Sequence, residues 1–314
     1  MTKIVAVIAV QDRLDLLNRT LRSLAACQLP PSFEKTLIVE NGGDHGVRSV
    51  VDGAPAQLKA EYLFHPVGNK SAALNAALSC VGDCLLVFFD DDVRVAPQTL
   101  MAYEAAACAS PSGRFFGGPF GVDYECPPPD WLRKSLPLSA TGCPMDETRE
   151  QKECPFLGFN WAAYAADLRR CGGFNPMVGP GSPVGATGQE SEMQARLTRA
   201  GVRPKVVPDA MVWHYVPKER CTPKWALERA FRQGKSAGLT HVYKETTAAG
   251  IPRWAYTQLL FQYVRFGFSP FMLSRAKRFK ARWRLAYLRG HLEGAHLALR
   301  GSAEESYASA LSGR

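Results

Sequence analysis

The sequence predicts an α/β fold with a mostly parallel central sheet flanked by helices, followed by a helical C-terminal extension. Apolar segments rich in β-formers alternate with helical patterns over the first ninety residues, and this alternation is typical of a parallel sheet. After Pro223 the pattern becomes helical, basic and aromatic. The chain has 314 residues, 46% hydrophobic and 21% charged, so it can bury a large core and is neither disordered nor fibrous.

Three strands and two helices are predicted in the first ninety residues. The apolar run at residues 3–10 is typical of a buried parallel strand. A helix follows, marked by leucines at helical spacing: Leu14, Leu17, Leu21 and Leu24. A second strand ends at the turn Asn41-Gly42-Gly43. A helix over residues 70–80 and a strand over residues 84–92 complete the order β-α-β-α-β.

The middle of the chain has weaker signals. Residues 111–160 are rich in Gly and Pro and are predicted to form loops over the sheet. A helix is predicted over residues 162–170, and another begins near Ser191 and ends at Gly201. Two strand-like segments follow, at residues 202–208 and 211–216.

Charge is distributed unevenly along the chain. Residues 1–202 carry 18 Lys/Arg and 22 Asp/Glu, a net charge of −4, whereas residues 203–314 carry 20 and 7, a net charge of +13. This asymmetry indicates different partners for the two parts. Nine cysteines without a CxxC pattern, an N-terminal apolar run too short for a signal sequence, and the lack of eighteen consecutive apolar residues predict a reduced, cytoplasmic protein.

The strongest local signal is a run of three carboxylates, Asp90, Asp91 and Asp92, directly after an apolar strand. Adjacent negative charges repel one another unless a cation neutralises them. Oxygen ligands of this kind favour Mg²⁺ or Mn²⁺, which commonly bridge to phosphate oxygens; a solvated acidic turn is the alternative. Polar residues also follow the other two strands, at 11–13 and 40–41. The carboxyl ends of parallel strands meet at one edge, which predicts a ligand site there.

Seven segments are informative through their shared order along the chain. They are Ala9-Val10-Gln11-Asp12-Arg13, Val39-Glu40-Asn41-Gly42-Gly43, residues 68–75, Asp90-Asp91-Asp92, Gly172-Gly173-Phe174-Asn175, Gly188-Gln189-Glu190-Ser191-Glu192-Met193, and Pro208 with Val212-Trp213-His214. In this order, over residues 3–217, the sequence resembles the inverting glycosyltransferases of family 2, which have the GT-A fold. It departs from their pattern at Ala9-Val10, where the family has Pro-Thr, at Leu74, where it has Arg, and at Gln189, where it has Glu.

The resemblance implies a catalytic domain over residues 1–217, with a nucleotide-binding half at 1–110 and an acceptor and catalytic half at 111–217. A basic, aromatic helical extension is expected over residues 218–300 and a frayed tail over 301–314. The donor implied is a nucleotide-diphosphate sugar, and several residues are expected to bind its nucleotide. These are Gln11, Arg13, Glu40, Asn69, Lys70, Asp90 and Asp91. Since the carboxylate of Glu40 can accept the N3–H of uracil or a ribose hydroxyl, a UDP-sugar is favoured, with GDP and dTDP open.

The resemblance also implies how the chemistry is shared among side chains. Asp92 and His214 are expected to hold Mn²⁺ or Mg²⁺, which stabilises the charge that develops on the leaving diphosphate. Glu190 is expected to act as the general base for the acceptor hydroxyl, with Glu192 as its nearest rival. Taken alone, a histidine such as His214 is more typical of packing. Candidates for contact with the sugar or the acceptor are Asn160, Trp161, Trp131 and Gln189.

The activity expected is therefore metal-assisted transfer of a sugar to a hydroxyl of a glycan or of a lipid-linked saccharide. One alternative is a sugar nucleotidyltransferase, although no Gly-rich phosphate loop follows the first strand. The other is a catalytically degenerate relative that binds glycans or acts as a scaffold, which the three departures from the family pattern leave open.

The basic end of the chain predicts a further partner. Between Ile251 and Arg300 there are ten Arg/Lys and one acidic residue, Glu293, interleaved with aromatic residues. A helix with basic and aromatic faces can lie in a membrane interface, which predicts peripheral contact of residues 251–300 with anionic lipid at the inner face of the membrane. The alternative is a helical appendage packed on the core. Nucleic-acid binding is not expected, because no RNA-binding motif is present.

Overall fold

The computed structural model describes residues 2–145, 156–183, 185, 187–240, 253–268 and 274–312. The chain divides into two compact units. The first comprises Met1–Glu125, Leu138–Val184 and Gly188–Val216, and the second comprises Cys126–Pro137, Gly185–Thr187 and Pro217–Arg314. The predicted division of residues 1–217 into nucleotide and acceptor halves stays a prediction.

The described residues form ten strands and ten α-helices. In chain order they are β1 (Lys3–Val10), α1 (Leu14–Ala25), β2 (Phe33–Asn41), α2 (Val47–Asp52), β3 (Ala60–His65), α3 (Lys70–Ser79), β4 (Cys84–Asp90), β5 (Val93–Val95), α4 (Thr99–Ala109), β6 (Arg114–Gly117), β7 (Phe120–Tyr124), α5 (Asp130–Arg133), β8 (Trp161–Tyr164), α6 (Ala165–Arg170), α7 (Gln189–Arg199), β9 (Arg203–Val206), β10 (Val212–Val216), α8 (Pro223–Thr240), α9 (Arg253–Gly267) and α10 (Arg275–Ser312).

The first unit contains a seven-stranded sheet in the order β3-β2-β1-β4-β8-β6-β9. Only β8 among these strands runs opposite to the others. Strands β1 and β4 are almost entirely buried, as expected for strands with both faces covered. The mostly parallel α/β fold that the sequence predicts is confirmed.

A second, three-stranded sheet brings β10 next to β5, the strand that follows β4. Its order is β5-β10-β7, with β10 antiparallel to β5 and parallel to β7. His214 on β10 pairs with Val93 on β5, and the N–H of Tyr215 donates to the carbonyl oxygen of Asp92 at 2.8 Å. This sheet therefore fixes His214 next to the acidic residues that follow β4.

Parts of the predicted secondary structure were wrong, and several elements were missed, among them helices α2 and α4. Strand β3 was missed because it is a half-exposed edge strand without a continuous apolar run. The predicted loop region at 111–160 contains strands β6 and β7, and the helix predicted from residue 162 begins only at α6. The preceding residues form the fully buried strand β8, where pairing with β4 and β6 overrides the helical preference of its alanines. The backbone of α10 is helical to Ser312, and the predicted fraying of residues 301–314 stays a prediction.

The cysteines also differ from prediction at one position. Cys143 is disulfide-bonded, whereas the sequence predicts a fully reduced chain. Seven cysteines within the described residues are not disulfide-bonded: Cys27, Cys80, Cys84, Cys108, Cys126, Cys171 and Cys221.

In the second unit, helices α8 and α10 approach each other closely through glycine. A Cβ atom on Gly234 or Gly238 of α8 would lie 1.9 or 2.0 Å from a carbonyl oxygen of α10. In return, a Cβ atom on Gly290 or Gly294 of α10 would lie 2.0 Å from a carbonyl oxygen of α8. These distances are too short for any side chain, so the two glycine pairs, each spaced four residues apart, determine the packing of the two helices.

We predict that Gly290→Ala lowers the free energy of unfolding by about 1–3 kcal/mol, because the added methyl group forces the helices apart. Gly267→Ala is the matched control, since a Cβ atom there meets nothing within 4 Å. Urea denaturation of both variants tests the prediction. Equal stability of Gly290→Ala and the wild type would show that the close approach of α8 and α10 does not matter for folding.

Candidate active site

The polar ends of β1, β2 and β4 meet at one edge of the large sheet. Within the sheet Val10 pairs with Glu40, and Ala9 pairs with Asp90. Glu40, the residues after Val10 and the acidic residues after β4 therefore lie side by side, as the sequence predicts for the carboxyl ends of parallel strands.

Two cations form ion pairs with the three consecutive aspartates. Arg13 donates from Nε to Oδ2 of Asp91 at 3.1 Å and from both terminal nitrogens to Asp91 and Asp92. Lys70, the first residue of α3, forms an ion pair with Asp90. Asp91 and Asp92 are only 1% and 3% exposed, so these ion pairs offset a charge repulsion that water screens very little.

Burial and neighbouring charges act on these carboxylates in opposite directions. Burial raises the pKa of Asp91 to about 7, although the Arg13 guanidinium acts to lower it. Burial also acts to raise the pKa of Asp90, but the adjacent Lys70 ammonium outweighs it and holds that pKa below its ordinary value. Three carboxylates face two permanent cations, so the cluster carries an excess negative charge when all three are ionised.

Asp92 and His214 form a buried pair whose chemistry suits a divalent cation. Nε2 of His214 lies 3.5 Å from Oδ1 of Asp92, and its Nδ1 lies 2.7 Å from the carbonyl oxygen of Ser139. Because a carbonyl oxygen only accepts, Nδ1 carries a proton, and Nε2 is the ring nitrogen that faces Asp92. The imidazole also stacks on Phe159 at 4.6 Å, which holds the ring in place.

A carboxylate oxygen beside an imidazole nitrogen is a donor set that fits Mn²⁺ or Mg²⁺. Among the described residues no group of three His, Cys, Asp or Glu side chains is arranged to hold a metal ion. A metal at Asp92 and His214 would therefore take its remaining ligands from water or from a bound phosphate.

The turn after β4 is held by a residue that the sequence analysis did not single out. Oγ1 of Thr20, on α1, lies 2.9 Å from the carbonyl oxygens of both Asp91 and Val93, and it accepts from the N–H of Val93 at 3.1 Å. Thr20 interrupts the leucine face of α1, and a polar residue on an otherwise apolar helix face was the available signal. The contribution of Ser139 is a backbone carbonyl, which no sequence pattern reveals.

Glu190 lies at the same site as the aspartates. It is the second residue of α7. Burial acts to lower the pKa of the Lys70 amine, but Asp90 and, to a smaller extent, Glu190 raise it above its ordinary value. The first turn of a helix stabilises a carboxylate. A Cβ atom on Gly158 would lie 3.5 Å from Oε2 of Glu190, so the loop before β8 forms one wall beside the carboxylate.

The two neighbours of Glu190 have structural partners. Glu192 forms a bidentate ion pair with Arg196 at 2.7 and 2.8 Å, one turn further along α7. Gln189 is buried, and its side chain would lie 3.0 Å from a Cβ atom on Gly179. Gln189 therefore packs between loops rather than in open space.

Three of the residues predicted to bind the nucleotide have other partners here. Glu40 is 0% exposed, and its carboxylate accepts from the N–H of His45 at 2.6 Å and from the hydroxyl of Tyr62. Asn69 caps α3 by accepting from the N–H of Ala72 at 3.0 Å. Arg13 contacts the aspartates. Their contact with a nucleotide stays a prediction.

Gln11 remains at the exposed edge of the sheet, where its amide nitrogen would lie 3.4 Å from a Cβ atom on Gly42. Gly42 has a φ of +95°, and a Cβ atom there would also lie 2.8 Å from Cα of Gly68. The two loops that follow β2 and β3 therefore touch through glycine beside Gln11.

Two of the candidates for sugar contact, Asn160 and Trp161, are buried in the first unit. Asn160 is fully buried and donates to the carbonyl oxygens of Pro119 and Ala210 at 2.9 and 2.7 Å. Trp161 is buried in the core, where it stacks on Phe88 at 4.8 Å. Neither side chain is accessible to a ligand in this structure.

Trp131 belongs to the second unit. Its ring packs edge-on against Phe279 of α10 with a centroid distance of 5.7 Å. From the sequence, a tryptophan that follows three prolines is expected to lie in a loop. Its partner Phe279 is 148 positions away, so no local pattern predicts the contact.

A mostly parallel sheet with an acidic triplet at the end of its fourth strand, opposed by a histidine on a later strand, defines a GT-A glycosyltransferase. Residues 2–236 match the family model described as "Glycosyltransferase like family 2". The chain therefore belongs to this family, and the predicted resemblance is confirmed. Sugar transfer from a nucleotide sugar is the activity that this membership supports.

Two characterised proteins show the same relationship. The succinoglycan biosynthesis protein ExoM of Rhizobium meliloti (strain 1021) is 27% identical over 230 residues, covering 71% of this chain and 70% of ExoM. Validoxylamine A glucosyltransferase of Streptomyces hygroscopicus subsp. limoneus is 26% identical over 223 residues, covering 62% of this chain and 48% of that protein.

Solved structures confirm the GT-A fold. The mannosyltransferase PcManGT from Pyrobaculum calidifontis, in complex with GDP-Man and Mn²⁺, aligns with a TM-score of 0.55 at 19% identity, covering 99% of this chain and 79% of that one. Residues 1–349 of S. aureus TarS align with a TM-score of 0.51 at 12% identity, covering 96% and 92%. At these identities the likeness shows the fold alone.

Proposed function

We propose that the protein is an inverting, metal-dependent glycosyltransferase that moves a sugar from a nucleotide-diphosphate donor to a hydroxyl of a glycan or lipid-linked saccharide. The observation that carries the proposal is the buried pair of Asp92 and His214, 3.5 Å apart, which follows two further aspartates in the sequence. Asp92 and His214 would hold Mn²⁺ or Mg²⁺. The bound metal would supply positive charge to the leaving diphosphate.

Glu190 is the proposed general base. Its carboxylate takes the proton of the acceptor hydroxyl while the hydroxyl oxygen attacks the anomeric carbon in line. The bond between that carbon and the diphosphate oxygen breaks, and its electrons leave with the diphosphate, which inverts the configuration. Two observations support this role: Glu190 contributes, after Asp90, to the raised pKa of Lys70, and the rival Glu192 forms an ion pair with Arg196.

The two cations have a proposed role in binding the donor. Arg13 has a side chain that is 38% exposed, so a phosphate oxygen can reach it. Lys70 lies at the N-terminus of α3, where the helix dipole also favours a negative group. Both therefore offset the combined charge of the aspartates and a diphosphate.

The nucleotide of the donor stays open among UDP, GDP and dTDP. The preference for UDP depends on Glu40 as an acceptor for uracil, and Glu40 is buried with protein donors on both oxygens. PcManGT was solved with GDP-Man and Mn²⁺. We therefore treat GDP as a candidate equal to UDP for the donor nucleotide.

The acceptor and its location are proposed from the relatives and from charge. ExoM is a succinoglycan biosynthesis protein, which supports a saccharide acceptor in polysaccharide biosynthesis. No helix in the part of the chain that the structure describes is long and apolar enough to cross a bilayer. We propose that residues 251–300, with ten Arg/Lys and one acidic residue, contact an anionic membrane peripherally at its cytoplasmic face.

The donor site predicts a metal-dependent thermal shift. UDP, GDP or dTDP at about 100 times its dissociation constant should stabilise the wild type by about 2.7 kcal/mol in the presence of Mn²⁺, and Asp92→Asn should abolish that gain. Asp83→Asn, which removes a carboxylate that is 89% exposed, is the matched control and should keep the shift.

The absence of a shift with all three diphosphates would contradict the transferase and favour a degenerate, glycan-binding relative. Release of pyrophosphate from a nucleoside triphosphate would instead favour a nucleotidyltransferase.

The assignment of the base predicts a split between turnover and binding. Glu190→Gln should lower kcat by about 10²–10⁴-fold, because the acceptor proton loses its destination, and should leave the nucleotide-induced thermal shift intact. Glu192→Gln is the matched control and should keep kcat within a few-fold of the wild type. Turnover by Glu190→Gln at the wild-type rate, together with inactivity of Glu192→Gln, would reverse the two roles.

A further inference from the structure

Helix α9 is apolar on two opposite faces. Its inner face packs against α10, where Ala255 and Leu259 contact Leu292 and Ala295. The hydroxyl of Tyr256 also lies 3.2 Å from Nε2 of His296. These contacts are sufficient to attach α9 to the second unit, so the apolar residues on its other face have no role in this packing.

The outer face carries a stripe of large apolar side chains, which we call the α9 stripe: Leu260, Phe261, Val264 and Phe268. Their exposed fractions are 65%, 62%, 51% and 62%. These residues are separated by one, three and four positions along the chain, which puts them on one side of a helix. The N–H of Phe268 continues the helical pattern by donating to the carbonyl oxygen of Val264 at 3.1 Å.

This concentration of exposed apolar residues is specific to α9. Twelve large hydrophobic residues are exposed among the described residues, and eight of them lie between Trp254 and Phe268. An exposed apolar patch of this kind marks an interaction surface. Trp254 and Tyr263 lie on the flanks of the stripe, and both residue types favour the boundary between a membrane and water.

Charge identifies the occupant. From Ile251 to Leu292 the chain has nine Arg/Lys and no Asp or Glu. On α10 the exposed basic residues include Arg275, Lys277, Lys280 and Arg282, and the guanidinium of Arg282 lies 5.9 Å from the ring centroid of Phe266 on α9. The basic residues of α10 therefore run beside the apolar helix.

An apolar stripe on α9 together with exposed basic residues on the neighbouring helix α10 is complementary to anionic lipid. A second copy of the chain fits less well, because a symmetric contact through α9 would bring two sets of basic residues together. RNA would pair with the basic residues but would leave the aliphatic side chains of Leu260 and Val264 without a partner.

We infer that α9 lies in the interface of an anionic bilayer and inserts the α9 stripe among the acyl chains, while the basic residues of α10 bind lipid headgroups. This deepens the proposed membrane contact of residues 251–300, which rests on charge alone, by adding an apolar anchor. Such helices lie in the plane of the interface and do not cross it.

The test is co-sedimentation of the whole protein with phosphatidylcholine vesicles that contain about one third phosphatidylglycerol, at low salt and at about 1 M salt. The stripe variant is Phe261→Ser/Val264→Ser. Its matched control is Phe64→Ser/Val67→Ser, which replaces an exposed Phe and an exposed Val of the first unit in the same way. The charge variant is Arg275→Gln/Lys277→Gln/Lys280→Gln. Thermal unfolding of each variant verifies that it folds.

We expect the stripe variant to bind the vesicles about 10- to 100-fold more weakly than the wild type and the control to bind as the wild type does. The charge variant should lose roughly fivefold per neutralised residue at low salt. The wild type should keep part of its binding at high salt, because the apolar contribution is not screened.

Three results would overturn the inference. If the stripe variant bound vesicles as tightly as the wild type and only the charge variant lost affinity, the contact would be purely electrostatic. The apolar anchor would then be wrong, while the proposed membrane contact of residues 251–300 would stand. No vesicle binding by the wild type, with a dimer that the stripe variant disrupts, would identify a second copy as the occupant. Displacement of the wild type from vesicles by RNA, with equal RNA affinity of the stripe variant and the wild type, would assign the surface to nucleic acid.

Discussion

Three adjacent carboxylates, two of them buried, lie at the end of β4, and the charges that make this arrangement possible come from other elements. Arg13 stands directly before α1 and Lys70 is the first residue of α3, so each cation is delivered by the start of a helix that packs on the sheet. Without Arg13 and Lys70, the ionised carboxylates of Asp91 and Asp92 would lie unpaired in surroundings almost free of water, which destabilises the folded state. The packing of both helices and the charge state of the site are therefore linked.

The adjacent carboxylates must also be held in place, and the second, three-stranded sheet contributes to this. The aspartate turn is held from one side by the hydroxyl of Thr20 on α1 and from the other by the N–H of Tyr215 on β10. The antiparallel pairing of β10 with β5 also sets His214 next to Asp92. A site that gathers negative charge is thus enclosed by a helix and a sheet that limit the movement of its carboxylates.

The parts of the fold that the sequence predicts are those determined locally. Strands β1, β2 and β4 are covered on both faces, so they appear as continuous apolar runs whose polar ends mark the sheet edge. Strand β8 could not be predicted, because its two alanines favour a helix and only its neighbours β4 and β6 make it a strand. The order of motifs predicted which acidic residues gather at one site. It did not predict the burial of Glu40, because its partner Tyr62 lies on β3, the edge strand that was missed.

The most direct test is the position of a metal ion. Crystals grown with Mn²⁺ and the nucleoside diphosphate that stabilises the protein would reveal the ion by its anomalous scattering. We expect a single strong peak in ligating contact with the carboxylate of Asp92 and with Nε2 of His214, with the diphosphate completing the coordination. A nucleotide bound at the carboxyl ends of β1, β2 and β4 without a peak there, or a peak that neither Asp92 nor His214 contacts, would contradict the proposed site.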